Sequence, residues 1–174
     1  MAQLIEHSGI IKDIQKNQIQ VLITRNSACS ECDANGVCTV SDHQEKIIEI
    51  ERESFNNPWD LESYEKMTKD FKTHVFAWFE EEEVIAYGVL LDMIDVYELV
   101  KIAVKKTSRE NGFGNKLLAG IIENLSKNIF LEVRVTNKKA IKLYEKNGFK
   151  KINVRKNYYK DTGEDAVIMS VEIK

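Results

Sequence analysis

The chain has 174 residues, is 43% hydrophobic and 30% charged, and carries a net charge of −3. That suits one ordinary globular domain with a small appendage, and it supplies no basic field of the kind that draws nucleic acid. No apolar run is long enough to span a bilayer, and Met1 to His7 lacks the basic and apolar regions of a signal peptide. The cysteines number three and all fall between Cys29 and Cys38. An odd, clustered set is not a secreted disulfide framework, so the expectation is a soluble, cytoplasmic protein.

In chain order, Gly9 to Arg25 alternates loosely, with Ile11, Ile14, Ile19, Val21 and Ile23 apolar around a polar Gln15–Gln18 centre, and reads as a small hairpin. A cysteine loop follows. Ser41 with Gln44 three residues on forms a capping-box pattern, which predicts a helix from about Asp42 to Phe55 with Ile47 and Ile50 inward. Asn56-Asn57-Pro58 ends it, and Asp60 can cap a second helix carrying Leu61, Tyr64 and Phe71. Val75–Phe79, Val84–Leu91 and Tyr97–Val104 read as strands, the first two joined by the charged turn Glu80–Glu83. After Gly114 the period changes to helix, with Leu117, Leu118, Ile121, Ile122 and Leu125 on one face. Ile129–Val135 reads as a buried strand and Asn137–Asn147 as a helix ended by Gly148. Val154 and the Ala166–Ile173 run form a last strand pair. The order ααβββαβαββ predicts an α/β fold with a mixed central sheet flanked by helices.

One turn carries a chemical hint. Arg109-Glu110-Asn111-Gly112-Phe113-Gly114 joins the strand ending at Val104 to the helix after it. Glycines let successive N–H groups converge, and a helix start adds unpaired donors and a positive dipole end, which together suit a pyrophosphate. Alone, the same residues make an ordinary glycine turn. Their context reads further. Leu99-Val-Lys-Ile-Ala-Val104 followed by Arg-x-x-Gly-x-Gly resembles the acetyl-CoA-binding motif of the GNAT superfamily. So do Leu131-Glu132-Val133-Arg134, the run Asn137 to Phe149, Arg155 to Tyr159, Glu164 to Met169, and the leader Ile50 to Phe55 with Pro58-Trp59. As a set, over about Lys46 to Lys174, they resemble the ribosomal-protein-alanine N-acetyltransferase (RimI-type) family.

The resemblance implies a GNAT fold, acetyl-CoA as donor, and a protein N-terminus as acceptor, that of a ribosomal small-subunit protein beginning with alanine. Acetyl transfer from a thioester needs a neutral amine, a donor for the carbonyl oxygen, a proton for the leaving sulfur and a fixed geometry. Glu132 lies in an otherwise apolar strand, where a carboxylate is unusual. It reads equally as a Glu132–Arg134 surface pair; the resemblance implies the general base. Tyr144 implies the acid for the thiolate. It also stands where a Schellman motif would bring it against Phe149, and both roles fit one side chain. Asn137 caps its helix and, by resemblance, touches the donor together with Lys146. Ile102, Ala103 and Val104 should offer peptide groups to the pantetheine arm, because the fold splays this strand from the next. Trp59, Arg134, Tyr158 and Tyr159, with Glu164-Asp165 nearby, imply an acceptor surface for a cationic N-terminus. The tyrosines otherwise read as surface residues of a loop between the last two strands, and Trp59 as core.

Residues 1–45 stand apart as an extension to a domain of 46–174. Ile5 to Ile10 with Cys29-x-x-Cys32 and Cys38 resembles the N-terminal part of RseC-type (SoxR-reducing-system) proteins, so the chain reads as a fusion. Three cysteines with His43 make a poor match to a four-ligand metal site, and no metal is assigned. The usual first GNAT strand should fall near Gly36–Val40 or be missing. Two other readings stay open: a GNAT enzyme acting on a lysine, polyamine or small amine, and a non-catalytic CoA-binding or cysteine-based redox or metal module.

Overall fold

A computed structural model of the chain describes residues 19–22, 39–80 and 83–173. Its elements run β1 (Ile19–Leu22), α1 (Thr39–Ser54), α2 (Leu61–Thr68), β2 (Thr73–Glu80), β3 (Glu83–Asp92), β4 (Tyr97–Val104), α3 (Phe113–Glu123), β5 (Ile129–Arg134), α4 (Lys138–Lys146), β6 (Lys150–Tyr159) and β7 (Glu164–Val171), with a 3-10 turn at Lys106–Ser108. The strands form one sheet in the order β1-β2-β3-β4-β5-β7-β6. All neighbours are antiparallel except β4 and β5, so the sheet is mixed, as the element order led us to expect.

Each face of the sheet carries its own core. Leu117, Leu118 and Ile121 of α3 and Tyr144 of α4 pack with Leu99, Leu131, Val133 and Met169 on one face. Ile47, Ile48 and Ile50 of α1 and Tyr64 of α2 pack with Val75, Tyr87 and Val89 on the other. Strands buried on both sides lose the polar–apolar alternation of a one-sided sheet, which is why β2 and β3 read as continuous apolar runs. Among the described residues no helix is long and apolar enough to cross a membrane.

Four expectations need correction. Helix α1 begins at Thr39, so Ser41 lies within it and is not its cap. Thr39 and Val40 are helical, so the strand expected near Gly36–Val40 does not include them, and Gly36–Cys38 lie outside the described residues. Ile19–Leu22 takes the position beside β2 instead, covering peptide groups that an open edge would leave unpaired. Phe71 falls beyond α2, in a turn, and is 79% exposed: α2 stops at Thr68, before the apolar face reaches it. Tyr158 and Tyr159 end β6 and are not in a loop. The rest of the expected hairpin, and Cys29, Cys32 and Cys38, lie outside the described residues.

The end of α4 is the Schellman motif anticipated from sequence. Phe149 N donates to Tyr144 O at 3.1 Å and Gly148 N to Glu145 O at 3.1 Å, Gly148 has φ +86°, and the Tyr144 and Phe149 rings lie 5.7 Å apart. A Cβ on Gly148 would meet only Val171 Cγ2, at 3.6 Å, an ordinary contact. Gly148→Ala should therefore cost only the left-handed backbone penalty, about 1–2 kcal/mol, read as a lower urea midpoint with an unchanged slope.

Candidate active site

The parallel pairing of β4 with β5 covers three residue pairs, Tyr97–Ile129, Glu98–Phe130 and Leu99–Leu131. The next residue, Val100, is extra: Leu90 of β3 pairs with Leu99 and Val89 with Lys101, so Val100 forms a bulge. Beyond it β4 stays with β3 while Glu132, Val133 and Arg134 of β5 pair only with β7. The strands part, and alternate peptide groups of residues 100–104 face the opening.

The turn leading into α3 stands beyond the far end of β4. Gly112 (φ +83°) and Glu110 (φ +66°) both take left-handed backbone. No hydrogen bond to another described residue engages the amides of Glu110 to Asn115. Gly112 is needed for its backbone alone, since a Cβ there would meet nothing within 4 Å. A Cβ on Gly114 would stand 3.4 Å from Val104 Cγ2 and 3.5 Å from Leu143 Cδ2, ordinary contacts, so space does not require glycine there. Arg109 does not point its charge at the turn. Its Nε donates to Val104 O at 3.0 Å and its Nη2 to Ser54 Oγ at 2.8 Å, tying the turn to β4 and α1. Glu110 pairs with Lys139 of α4 at 2.8 Å. Phe113 packs on the α3-side core. Asn137 caps α4 by accepting from Ala140 N at 3.1 Å, and Lys146 is exposed in its last turn.

Tyr144 and Glu132 belong to opposite faces of the sheet. Tyr144 belongs to the α3-side core and is 7% exposed. Its hydroxyl makes no hydrogen bond to a described residue, and burial pushes its pKa well above the usual phenol range, with Tyr159 adding to the effect. Leu131 and Val133 are in the same core, so Glu132 between them faces the α1/α2 side. There its carboxylate, 10% exposed, pairs with Arg155 Nη1 at 2.6 Å. A hydrogen bond to Glu132 also raises the Tyr158 pKa.

The expected Glu132–Arg134 pair does not form. Arg134 is held by Asp161 at 2.7 Å and Glu164 at 2.8 Å and lies 3.9 Å over the Tyr159 ring. Its two terminal nitrogens clamp the β6–β7 turn through Thr162, Glu164 and Asp161. Glu164 accepts from Arg134 and Thr136, and Asp165 from Lys156 and the Asn157 amide. Both carboxylates of that acidic pair are thus engaged within the β5–β7 region.

Three features escaped the sequence reading. Glu98 shares the Glu132 face, being paired with Phe130 across the strands, and its pKa is raised by burial and then by Glu132. Arg155, on the edge strand β6, supplies the counter-ion. Lys101 lies 4.0 Å over Trp59 and 4.3 Å over Phe55 and pairs with Glu51 of α1. Glu51 is fully buried and also accepts from Trp59 N at 3.2 Å. Trp59 thus packs under Lys101 beside Phe55. A carboxylate four residues after Ile47 was the available signal for Glu51, and a polar residue in the apolar run Tyr97–Val104 was the one for Glu98.

With this geometry in view, the comparisons decide the family. A model of the acetyltransferase (GNAT) family matches residues 44–149. The chain belongs to the GNAT acetyltransferase family. Its acyl donor is accordingly acetyl-CoA. The chain is 32% identical over 130 residues to the Escherichia coli ribosomal protein bS18-alanine N-acetyltransferase, covering 71% of this chain and 87% of that one. It is 31% identical over 133 residues to the Haemophilus ducreyi protein of the same name, covering 72% and 91%. The crystal structure of the E. coli enzyme superposes with a TM-score of 0.69 at 29% identity, covering 75% of this chain and 88% of that one.

The Glu51–Lys101 pair ties α1 to β4 beneath Phe55 and Trp59. Removing one partner strands a buried charge. Glu51→Ala should cost about 3–5 kcal/mol, and a Glu51→Met/Lys101→Met double variant should recover most of it, as measured by denaturant unfolding.

Proposed function

We propose that the protein is an Nα-acetyltransferase that moves the acetyl group of acetyl-CoA onto the N-terminal amine of a protein. The acceptor is a ribosomal protein beginning with alanine, as the names of its relatives suggest. The observation that carries the reading is the opening between β4 and β5, with a carboxylate on one face of the sheet and a phenol on the other. In this proposal the pyrophosphate of the donor rests on the unpaired amides of 110–115 and the start of α3. The peptide groups of Ile102, Ala103 and Val104 hold the pantetheine arm, with Asn137 and Lys146 as outer contacts. Trp59, Tyr158 and Tyr159 frame the acceptor, and Arg134 contributes by fixing Tyr159.

The acceptor amine gives up its proton to Glu132, directly or through water, and its lone pair attacks the thioester carbon. The C–N bond forms as the C–S bond breaks. Tyr144, which holds its proton far above neutral pH, stabilises the leaving thiolate as a hydrogen-bond donor. As the amide forms, the nitrogen sheds a second proton to solvent and the sulfur takes one from solvent; Glu132 then returns the first, so one net proton is released from the acceptor's ammonium. An enzyme with this acceptor works in the cytoplasm. Residues 46–174 form the catalytic domain, and 1–45 an extension that lends it β1.

Incubated with acetyl-CoA, peptides beginning with Ala or Ser should be acetylated at their N-termini, and a blocked peptide with a free lysine should not. Glu132→Gln and Tyr144→Phe should each lower kcat by roughly 100-fold or more. Full activity in the double variant, or turnover of the blocked peptide alone, would sink the reading.

A further inference from the structure

The acceptor face carries charges that the proposed chemistry does not use. Lys101 is matched by Glu51, and Arg134 by Asp161 and Glu164. What remains around the reacting carboxylate is Glu98 on β4, Glu132 on β5 and Arg155 on β6. Two carboxylates against one guanidinium leave one negative charge unmet. Burial first, then Glu132, raises the Glu98 pKa, and Arg155 only partly offsets the two. A small group of net negative charge in a half-buried cleft attracts a second cation.

The cation already present is poorly held. Arg155 is 55% exposed, and its partners are Glu132 at 2.6 Å and the Tyr158 ring at 5.6 Å. Its strand is the last of the sheet, so solvent lies beyond it. A pair with one solvated partner contributes on the order of 1 kcal/mol, and a long side chain on an edge can swing away without moving backbone. The guanidinium thus rests where a carboxylate and an aromatic ring meet, a combination that also suits an alkylammonium ion.

We infer that Arg155 is a resident counter-ion that holds the seat of the acceptor's ammonium in the resting enzyme. On binding it yields that seat to the substrate's α-ammonium, with Glu98 as the second carboxylate that receives it. This rests on the proposed Nα-acetyltransferase reading and adds to it two positioning residues and a recognised group. The acceptor is selected as a cation, by two carboxylates and the Tyr158 ring, before Glu132 takes its proton. Glu98 acts on binding, whereas Glu132 acts on binding and on chemistry.

The test is calorimetric titration of the CoA-loaded protein with a peptide beginning with Ala, and with the same peptide lacking its α-amino group. Wild type should bind the amine form more tightly. Glu98→Gln should weaken the amine form by about tenfold, the effect of losing one charged hydrogen-bond partner, and leave the des-amino form unchanged. Arg155→Gln should tighten the amine form severalfold, again without effect on the des-amino form, and Arg155→Lys should lie between. A loss that only reflected damaged structure would move both peptides and the acetyl-CoA KM together. An amine preference that survives Glu98→Gln, or an Arg155→Gln variant that binds the amine form more weakly, overturns the inference. If wild type acetylates no peptide N-terminus, the proposed function itself falls. If N-termini are acetylated and the Glu98→Gln preference is unaltered, only this inference falls.

Discussion

The parting of β4 from β5 is the constraint on which the rest of the molecule depends. Parallel pairing holds for three residues, and the extra residue Val100 then lets β4 turn away with β3. Peptide groups that would have bonded across the sheet are left facing an opening, and buried peptide groups do not stay unpaired without a partner. The opening also solves a problem of access. A closed sheet would isolate Tyr144, in the α3-side core, from Glu132 on the α1/α2 side.

The turn into α3 and the opening work as one device. The turn is kept rigid by Arg109, which ties it to Val104 and Ser54. The anchors that position the turn leave its amides unspent. The turn thus follows directly on the end of β4.

On the acceptor face, charge is mostly settled internally. Glu51 neutralises Lys101 between Phe55 and Trp59, and the β6–β7 turn consumes Arg134, Glu164 and Asp165. The Glu132–Arg155 pair differs in kind: it joins a nearly buried carboxylate to a half-exposed guanidinium on the edge strand.

By itself, the sequence determined the element order, the mixed sheet, the Gly148 end of α4 with its Tyr144–Phe149 contact, the Asn137 cap and the turn over Arg109–Gly114. These are legible because each rests on local geometry: hydrophobic period, a left-handed glycine, a side chain reaching three residues along the chain. The partners of the charged residues were decided only by tertiary structure. Arg134 is two residues from Glu132 and shares its strand face, yet it bonds to Asp161 and Glu164, while Arg155, more than twenty positions away, takes Glu132. Ion pairs depend on which strands become neighbours. The same holds for the edge beside β2, filled by Ile19–Leu22 in place of the segment next to α1, and for the opening itself. One extra residue at Val100 redirects β4, and nothing in the residue types marks it, because a bulge exists only relative to the strand it fails to match.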